Sequence, residues 1–392
     1  MAVLIREYCE DDRAQAGMIW SAAFDGGQPN PRLENPDLPL DLRSPDEDSQ
    51  VFVADVDGVV SGAFQIFYAP ITCRGAHFRC GGISGVAVAP GSRKRHVGSA
   101  MMTWSIKEMH RTGEVVTNLR AAHEFFYRRF GWECCGRCVR ITCPVPLFPR
   151  LDCDLSVRQL SVDDWGQLDA AYEEFAHRYS GMRLSRKGFG LSRLTQTEGT
   201  PPFVFAAGEP IEVYAILRLT PGTDLSIIEF VWTTLRGYET MLATLAGTGI
   251  NRQSITWDGP SNGPFLSSKW FTRGMTAQLP NPSMFRVLDV PASLTGLSTT
   301  ASGTFTMIID DEILPSNRGP WRVSYCPGGV RVEPSDTGDL HLDIHQYTQA
   351  WLGEPSLADL LDHGFISSSS NEAAQAATAL LPPKTTYSLE YF

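Results

Sequence analysis

The segment from Gly85 to Ala100 constrains this chain more than any other. The apolar run Ile83–Val88 is typical of a buried strand, and Ala89-Pro90-Gly91 ends it. A helix with small first residues is predicted to follow, over about 97–111, with Gly113 stopping it. A strand that passes through a tight turn into a helix is characteristic of domains that mix both elements. The segment therefore predicts an α/β domain.

The start of that helix predicts an anion site. The first turn of a helix leaves backbone N–H groups unpaired and a positive dipole end, which suit a pyrophosphate. Gly98 and its small neighbours permit close approach of the phosphates, and the basic residues at 93–95 supply charge. A solvated basic turn or a nucleic-acid patch is the alternative. The candidate cofactor-binding residues are Val86, Ala87, Val88, Arg93, Lys94, Arg95, His96, Val97, Gly98, Ser99 and Ala100.

Charge and length bound the class of protein. The chain has 392 residues and a net charge of −11, so two or three domains are expected and a nucleic-acid partner is not. An acidic protein suits a cationic partner. The sequence has no long apolar run and no basic start followed by an apolar stretch, which predicts a cytoplasmic protein without a membrane partner.

The nine cysteines do not predict a disulfide framework, because their number is odd and no secretory signal is apparent. Cys135 and Cys138 have the spacing of half a zinc site, but no second pair completes it. We therefore expect no metal, and we interpret the crowded cysteines as small buried apolar groups. That group consists of Cys134, Cys135, Cys138, Cys143 and Cys153.

Periodicity predicts three units, over 1–150, 151–284 and 285–392. In the first, Asp57-Gly58 predicts a hairpin turn. The second opens with Ser161 and Asp164 as a capping box and repeats the element order of the first without its basic turn. In the third, Ser367–Ser370 is predicted to be a loop, and the alternation over Thr385–Phe392 predicts a terminal strand.

A second chemical signal lies at Glu124–Trp132, where a short aromatic helix is followed by Phe130-Gly131-Trp132. A phenol with a pKa of about 10 can donate a proton to a departing thiolate, which makes Tyr127 a candidate general acid. The alternative is a core tyrosine packed with Phe126 and Phe130.

These two motifs resemble those of the GNAT acetyltransferases, in which Arg95-x-x-Gly98-x-Ala100 would bind acetyl-CoA. The whole chain resembles the Eis (enhanced intracellular survival) family. That resemblance implies an α/β (α+β) fold with an active GNAT domain, a degenerate GNAT domain and a C-terminal domain similar to sterol carrier proteins. The third-unit segments that carry it are Phe305–Asp310, Asn317–Trp321, Gly328–Val330, Asp339–Leu342, Trp351–Gly353 and Ser356.

The family resemblance also implies roles for individual residues. The backbone of Val86 and Val88 would pair with the pantetheine arm, and Tyr127 would be the general acid. The carboxylate of a terminal phenylalanine, here Phe392, would be the base, since a carboxylate can attract an ammonium ion; the alternative is that Phe392 only fills an apolar slot. The amine pocket would include Phe24, Asp25, Ser84, Gly85 and Glu390, with Gly85 where relatives often have an aromatic residue and Ala122 where they have a small polar one.

The resemblance implies acetylation of an aminoglycoside-like amine, and also of lysine peptides, by a homo-hexamer; antibiotic resistance and biosynthesis are both open as roles. Two other functions stay open. Trp321 and Trp351 in the third unit would suit a lipid-binding carrier, and the basic turn alone would suit a regulatory CoA-binding protein without turnover.

Overall fold

The computed structural model describes residues 2–24, 49–184, 203–218, 224–267, 269–280 and 283–389. Within these ranges the chain forms two seven-stranded sheets, one five-stranded sheet and a separate hairpin. Parallel and antiparallel strand pairs occur together, with helices packed against the sheets. The mixed α/β fold predicted from the sequence is confirmed.

The elements of the first part of the chain alternate between strand and helix. Its strands are β1 (Val3–Glu7), β2 (Ser49–Val56), β3 (Val59–Tyr68), β4 (Ile71–Cys73), β5 (Ala76–Phe78), β6 (Cys80–Val88), β7 (Val116–Arg120) and β8 (Glu133–Cys134). Its helices are α1 (Arg13–Phe24), α2 (Val97–Thr112) and α3 (Glu124–Arg128), with 3-10 turns at Glu10–Asp12 and Pro90–Ser92. The hairpin β4–β5 was not among the sequence predictions.

The middle of the chain repeats this alternation. Its strands are β9 (Cys138–Pro144), β10 (Val157–Leu160), β11 (Phe203–Ala207), β12 (Val213–Arg218), β13 (Asp224–Trp232), β14 (Ser254–Pro260), β15 (Thr276–Gln278) and β16 (Ser283–Val287). Its helices are α4 (Asp169–Ala176), α5 (Leu235–Thr248) and α6 (Pro264–Ser267), with 3-10 turns at Val145–Leu147 and Val162–Leu168. The capping box of Ser161 and Asp164 is confirmed, but it begins the second of these 3-10 turns, which α4 then continues.

The last part of the chain forms the five-stranded sheet. Its strands are β17 (Gly303–Asp310), β18 (Trp321–Cys326), β19 (Gly329–Pro334), β20 (Leu340–Asp343) and β21 (Ser367–Ser368). Its helices are α7 (Val290–Thr295), α8 (Ile344–Leu352), α9 (Leu357–Asp362) and α10 (Asn371–Leu380), with a 3-10 turn at Pro315–Asn317. The prediction of a loop at Ser367–Ser370 is wrong for its first half, because β21 pairs with β20.

The β2–β3 turn is explained by its two residues. Asp57 has φ 55° and Gly58 has φ 85°, and the Gly58 N–H donates to the Asp55 carboxylate at 2.7 Å. Two successive positive φ values match the twist of paired strands, and Asp-Gly accepts them readily. The predicted hairpin is confirmed.

The two large sheets have the same strand order and exchange one strand. The first is ordered β1-β2-β3-β6-β7-β16-β8 and the second β10-β11-β12-β13-β14-β9-β15. Thus β9, which comes after the first set of strands, lies in the second sheet, while β16, which comes after the second set, lies in the first. β9 thus precedes the predicted boundary at 150/151 but lies in the second sheet, and β16 spans the predicted boundary at 284/285 but lies in the first.

The described end of the chain is anchored to Ser180, in the segment that follows α4. The Tyr387 N–H donates to the Ser180 carbonyl at 2.8 Å, and Thr386 forms a single bridge with Ser180. All four residues from Thr386 to Leu389 are buried, so the burial does not alternate as the predicted terminal strand requires. The reason is that the segment packs on both sides, whereas a surface strand packs on one. Residues 390–392 lie outside the described ranges.

A buried ion pair joins the first sheet to the third. Arg286 on β16 donates to both carboxylate oxygens of Asp311, at 2.7 and 2.8 Å, and both side chains are 1% exposed. Asp311 also accepts from the N–H groups of Ile313 and Leu314 and from the Asn317 amide. The carboxylate therefore has a full set of donors, and the guanidinium depends on it for its charge balance.

We expect Asp311→Ala to lower the free energy of unfolding by about 3–5 kcal/mol, because it leaves the Arg286 guanidinium buried without a counter-charge. Urea denaturation followed by circular dichroism would measure the change. Glu209→Ala is the matched control: Glu209 pairs with Arg158 but is 83% exposed in that pair, so its loss should cost less than about 1 kcal/mol. Equal effects of the two substitutions would contradict the importance of the buried pair.

Candidate active site

The first sheet opens where β6 passes the end of β7. Parallel pairing ends at Ile83 and Leu119, although β6 continues to Val88. The pairing with β3 shifts register in the same region, and Gly85 has φ 60°. A bulge with glycine in the left-handed region bends a strand and redirects its remaining residues. The end of β6 therefore diverges from β7 and borders an open cleft.

Helix α1 covers the bulge with an aromatic side chain. The Trp20 Nε1–H donates to the Gly85 carbonyl at 2.6 Å, and a Cβ at Gly85 would lie 3.3 Å from that same nitrogen. Gly85 is thus required both by its positive φ and by the close approach of Trp20. Relatives often have an aromatic residue in place of Gly85. In this chain an aromatic side chain also borders that position, but it is Trp20 of α1.

The turn between β6 and α2 holds two non-glycine residues in the left-handed conformation, Lys94 with φ 61° and His96 with φ 62°. Each costs roughly 1–2 kcal/mol relative to ordinary backbone. Left-handed residues among right-handed ones turn successive N–H groups toward a common point, which makes an anion-binding hollow. Strain of this kind is characteristic of binding sites.

The next helix, α2, presents its first amides to the cleft. Its first backbone hydrogen bond runs from the Ala100 N–H to the His96 carbonyl at 3.0 Å, and His96 does not cap it with its side chain. In the described part of the chain, the N–H groups of Gly98 and Ser99 have no backbone acceptor. This arrangement fits the pyrophosphate that the sequence predicts for the segment.

A cleft of about 500 Å³ lies between the end of β6, the basic turn and helix α3. It brings together nine of the predicted cofactor and catalytic residues with five others. The predicted ones are Val86, Val88, Arg93, Lys94, His96, Val97, Gly98, Ser99 and Tyr127. The others are Ser92, Ala122, His123, Phe126 and Arg129.

Three predicted cofactor residues do not line the cleft. Ala87 is 3% exposed and alternates along the strand with Val86 and Val88, so it faces the other side of the sheet. Arg95 is exposed, and Ala100 lies in the first turn of α2 beyond the lining residues. The periodicity of the strand could have excluded Ala87.

The sequence prediction missed two cationic or titratable side chains on the far wall, His123 and Arg129. They flank α3, and His123 immediately precedes it. With Arg93 and Lys94 on the opposite wall, Arg129 makes the cleft cationic within an acidic protein. Their spacing around Tyr127, four before and two after, was the available signal, but it gives no direction for either side chain.

Tyr127 is half-buried on helix α3. Its ring contacts those of Phe126 and Trp132 edge-on, with centroids 5.0 and 6.2 Å away. The structure gives its hydroxyl no hydrogen bond to a described residue, and the residue lines the cleft. Burial raises the pKa of Tyr127 to about 12, so the hydroxyl keeps its proton at neutral pH. The ring packs in the core while the residue borders the cleft.

Gly98 connects the two walls of the cleft. A Cβ at Gly98 would lie 3.2 Å from Cζ of Phe126 and 3.7 Å from Cγ2 of Val88. The first turn of α2 can therefore approach the tyrosine helix only because residue 98 has no side chain.

The turn after α3 is equally tight. Gly131 has φ 89°, and a Cβ there would overlap the Arg286 guanidinium. The predicted Phe130-Gly131-Trp132 turn thus packs directly on the buried ion pair that joins the third sheet.

The predicted amine pocket is described only in part. Ser84 is 6% exposed on β6, next to the bulge, and Phe24 is 45% exposed at the end of α1. Asp25, Glu390 and Phe392 lie outside the described residues. Ser84, Gly85 and Phe24 do not line the cleft described above, and the amine pocket remains a prediction.

The second sheet differs from the first at the corresponding point of its described residues. Its parallel pair β13–β14 also ends early, at Ile227 and Trp257, but buried rings surround the end of β13. Tyr238 stacks on Phe230 at 4.8 Å and meets Trp232 edge-on at the same distance. Thr234 caps helix α5 with its side chain, so this helix start does not present the open amides of α2.

Other features constrain the chemistry less. Within the described residues, no group of three or more His, Cys, Asp or Glu side chains could hold a metal ion. Of the five crowded cysteines, Cys135, Cys138 and Cys143 are buried as predicted, whereas Cys134 is half-buried and Cys153 is exposed. No described helix is both long enough and apolar enough to span a bilayer.

Comparison with known proteins places this cleft in a recognised domain. Residues 4–135 match the acetyltransferase (GNAT) domain, and residues 290–388 match the sterol carrier protein domain. An uncharacterized N-acetyltransferase of Streptomyces coelicolor is 24% identical over 311 residues, which are 73% of this chain and 74% of that protein. The chain therefore carries a GNAT domain and is a GNAT-type N-acetyltransferase.

Solved structures share the whole fold at low identity. A GCN5-related N-acetyltransferase from Anabaena variabilis has a TM-score of 0.89 at 17% identity, with 100% of both chains covered. Eis1 from Mycobacterium abscessus has a TM-score of 0.79 at 20% identity, also with 100% of both chains covered. Because both similarities cover the whole chain, the shared fold includes the sterol-carrier-like domain.

Proposed function

We propose that the protein transfers the acetyl group of acetyl-CoA to an amine of a cationic, aminoglycoside-like small molecule, as an enzyme of the Eis type. One observation carries the proposal: the cleft at the end of β6 is bordered both by the open amides of α2 and by Tyr127. The proposed phosphate site at the start of α2 and the proposed proton donor, Tyr127, therefore border the same cleft.

Different residues of the cleft would bind different parts of acetyl-CoA. The N–H groups of Gly98 and Ser99 would hold the pyrophosphate, and Arg93, Lys94 and Arg129 would add charge for the phosphates. The unpaired edge of β6 at Val86 and Val88 would pair with the amides of the pantetheine arm. When bound there, acetyl-CoA supplies an activated thioester.

Tyr127 and the chain terminus would move the protons of the reaction. As the amine nitrogen bonds to the carbonyl carbon, the carbon–sulfur bond would break, and Tyr127 would give its proton to the departing sulfur. The acylated nitrogen would then lose its remaining extra proton, which would return Tyr127 to its neutral form, directly or through water. The carboxylate of Phe392 would accept the proton of the incoming ammonium, directly or through water. A backbone N–H of β6 aimed at the carbonyl oxygen would stabilise the charge that develops there.

The acceptor is inferred from charge and from the site's position. A net charge of −11 attracts polycationic amines, and Ser84 lies on β6 beside the point where the thioester would rest. Trp321 and Trp351, which suggested a lipid carrier, are engaged otherwise: their indole N–H groups donate to the carbonyls of Asn317 and Ser293, and Trp351 is fully buried.

Thiol release from acetyl-CoA, measured across aminoglycosides, polyamines, lysine peptides and lipids, tests the proposal. We expect turnover with polycationic amines and a product heavier by one acetyl group for each site modified. Lipid binding without thiol release would favour a carrier, and acetyl-CoA binding without turnover on any amine would favour a regulatory protein.

The proposed role of Phe392 can be tested by moving its carboxylate. Adding a few glycines after it carries the carboxylate away, while the anchored residues from Thr386 to Leu389 stay buried. We expect this extension, and deletion of Phe392, to lower kcat on the order of 10²-fold, the lower end of what a positioned acid or base contributes. Thermal melting should be unchanged.

The control for that experiment is the same glycine extension placed before Ala2, which is exposed at the other end of the chain. It should leave kcat as in the wild type. Normal turnover of the C-terminally extended variant would show that the terminal carboxylate has no part in catalysis.

A further inference from the structure

Helix α8 of the sterol-carrier-like domain lies against the segment that carries Tyr127. His345 and Gln349 are four residues apart and so share one face of the helix. His345 Nε2 lies 2.7 Å from the Arg128 carbonyl oxygen, and Gln349 Nε2 lies 3.0 Å from that of Cys134. A carbonyl only accepts, so the Nε2 of His345 must carry the proton that is donated.

Arg128 follows Tyr127 and ends helix α3. That helix is only five residues long, too short to be stable without tertiary contacts. Its last carbonyls have no partners within the helix. The Arg128 carbonyl accepts the Gly131 N–H at 3.0 Å and the His345 ring, so one local contact and one contact from another domain hold the end of the helix.

The imidazole of His345 is itself held in place. Its Nδ1 lies 3.4 Å from Asp343, whose carboxylate also caps α8 by accepting the Gln346 N–H at 2.8 Å. Glu133 on β8 is the other nearby carboxylate, and the Arg128 guanidinium is paired with it at 2.8 Å. Burial lowers the pKa of His345, but its contacts with Asp343 and the Arg128 carbonyl outweigh burial and leave that pKa above the usual histidine value.

We propose that His345 is a positioning residue for acetyl transfer: through it the sterol-carrier-like domain holds the end of the helix that aims Tyr127 into the cleft. The inference rests on the proposed role of Tyr127. It assigns the third domain a part in catalysis that needs no lipid.

Substitutions of equal size test this role. His345→Gln keeps an N–H donor, and His345→Met fills a similar volume without one. We expect His345→Met to lower kcat about tenfold, the effect of one lost hydrogen bond of about 1.4 kcal/mol, with little change in KM for acetyl-CoA. His345→Gln should recover most of the rate. Gln349→Met is the matched control, because it removes a similar donor from the same face of α8. The hydrogen bond that it removes goes to Cys134 and does not reach the helix that carries Tyr127, so kcat should be unchanged.

A double-mutant cycle separates this inference from the proposed function. If His345 acts through Tyr127, adding His345→Met to Tyr127→Phe should cause no further loss of kcat. Wild-type kcat in Tyr127→Phe would overturn the role of Tyr127 itself. A slow Tyr127→Phe combined with equal rates for His345→Gln and His345→Met, or with fully additive losses, would overturn the positioning role alone.

The contact also has a pH signature. Because the folded pKa of His345 is raised, its protonation stabilises the fold fully below the unfolded value of about 6.5, and this stability is lost as pH rises through the folded value. The melting temperature of the wild type should therefore exceed that of His345→Met by more at mildly acidic pH than at alkaline pH. A difference that does not vary with pH would contradict the charged contact with Asp343.

Discussion

Tyr127→Phe is expected to lower kcat by about 10²- to 10⁴-fold while leaving the KM for acetyl-CoA nearly unchanged. The substitution removes the donor but keeps the ring, whose edge-on contacts with Phe126 and Trp132 maintain the wall of the cleft. With a pKa of about 12 in the free protein, the hydroxyl is protonated at any pH near neutrality and available to a departing thiolate. Stopped-flow or steady-state thiol release would measure the loss.

Tyr68→Phe is a matched control for that substitution. Tyr68 is likewise half-buried, and burial likewise raises its pKa to about 12, but it ends β3 and does not line the cleft. It should retain wild-type turnover. If Tyr127→Phe also turned over at the wild-type rate, the packing of its ring in the core would be its whole role.

The second large effect is expected at Gly98. Gly98→Asp places a carboxylate where the phosphates would lie and brings its Cβ to 3.2 Å from Cζ of Phe126, closer than ordinary van der Waals contact. Losing one or two charge-assisted hydrogen bonds of about 1.5–3 kcal/mol each, together with the added repulsion, should raise the KM for acetyl-CoA on the order of 10²-fold or more. Steady-state kinetics with varied acetyl-CoA would measure the change.

Two further variants separate charge from space at Gly98. Gly98→Ala adds only the Cβ that meets Phe126, so it should raise KM far less than Asp does. Gly91→Asp puts the same charge in the same turn, but a Cβ there meets nothing within 4 Å and the residue does not line the cleft. It should therefore raise the KM for acetyl-CoA far less than Gly98→Asp does. An unchanged KM for Gly98→Asp would remove the start of α2 from the cofactor site.

The parts of this site that the sequence predicted are those that depend on short segments. The left-handed Asp57-Gly58 turn, the basic turn and the open start of α2 arise from residues that are neighbours in the chain. Their conformations are decided mainly by local sterics and hydrogen bonding, which the residue types reveal. Tyr127 was found in the same way, from the aromatic helix that holds it.

The features that the sequence did not predict depend on contacts between distant segments. The exchange of β9 and β16 between the sheets was not predicted, because each of these strands pairs with strands that lie far from it in the sequence. The directions of His123 and Arg129 are decided by how α3 packs, and the contact of His345 with Arg128 spans 217 positions in the chain. Such pairings appear only once the units are assembled.

Hydrogen–deuterium exchange of the wild-type protein with and without saturating CoA tests most directly whether this cleft holds the cofactor. We predict slower exchange, on binding, for the amides of β6 at Val86 and Val88 and for those of Gly98 and Ser99, because each gains an acceptor or is covered. The start of α5 in the second sheet, already capped by Thr234, should exchange as before. Protection confined to the five-stranded sheet, with the Val86–Ser99 amides unchanged, would contradict the assignment of this cleft to acetyl-CoA.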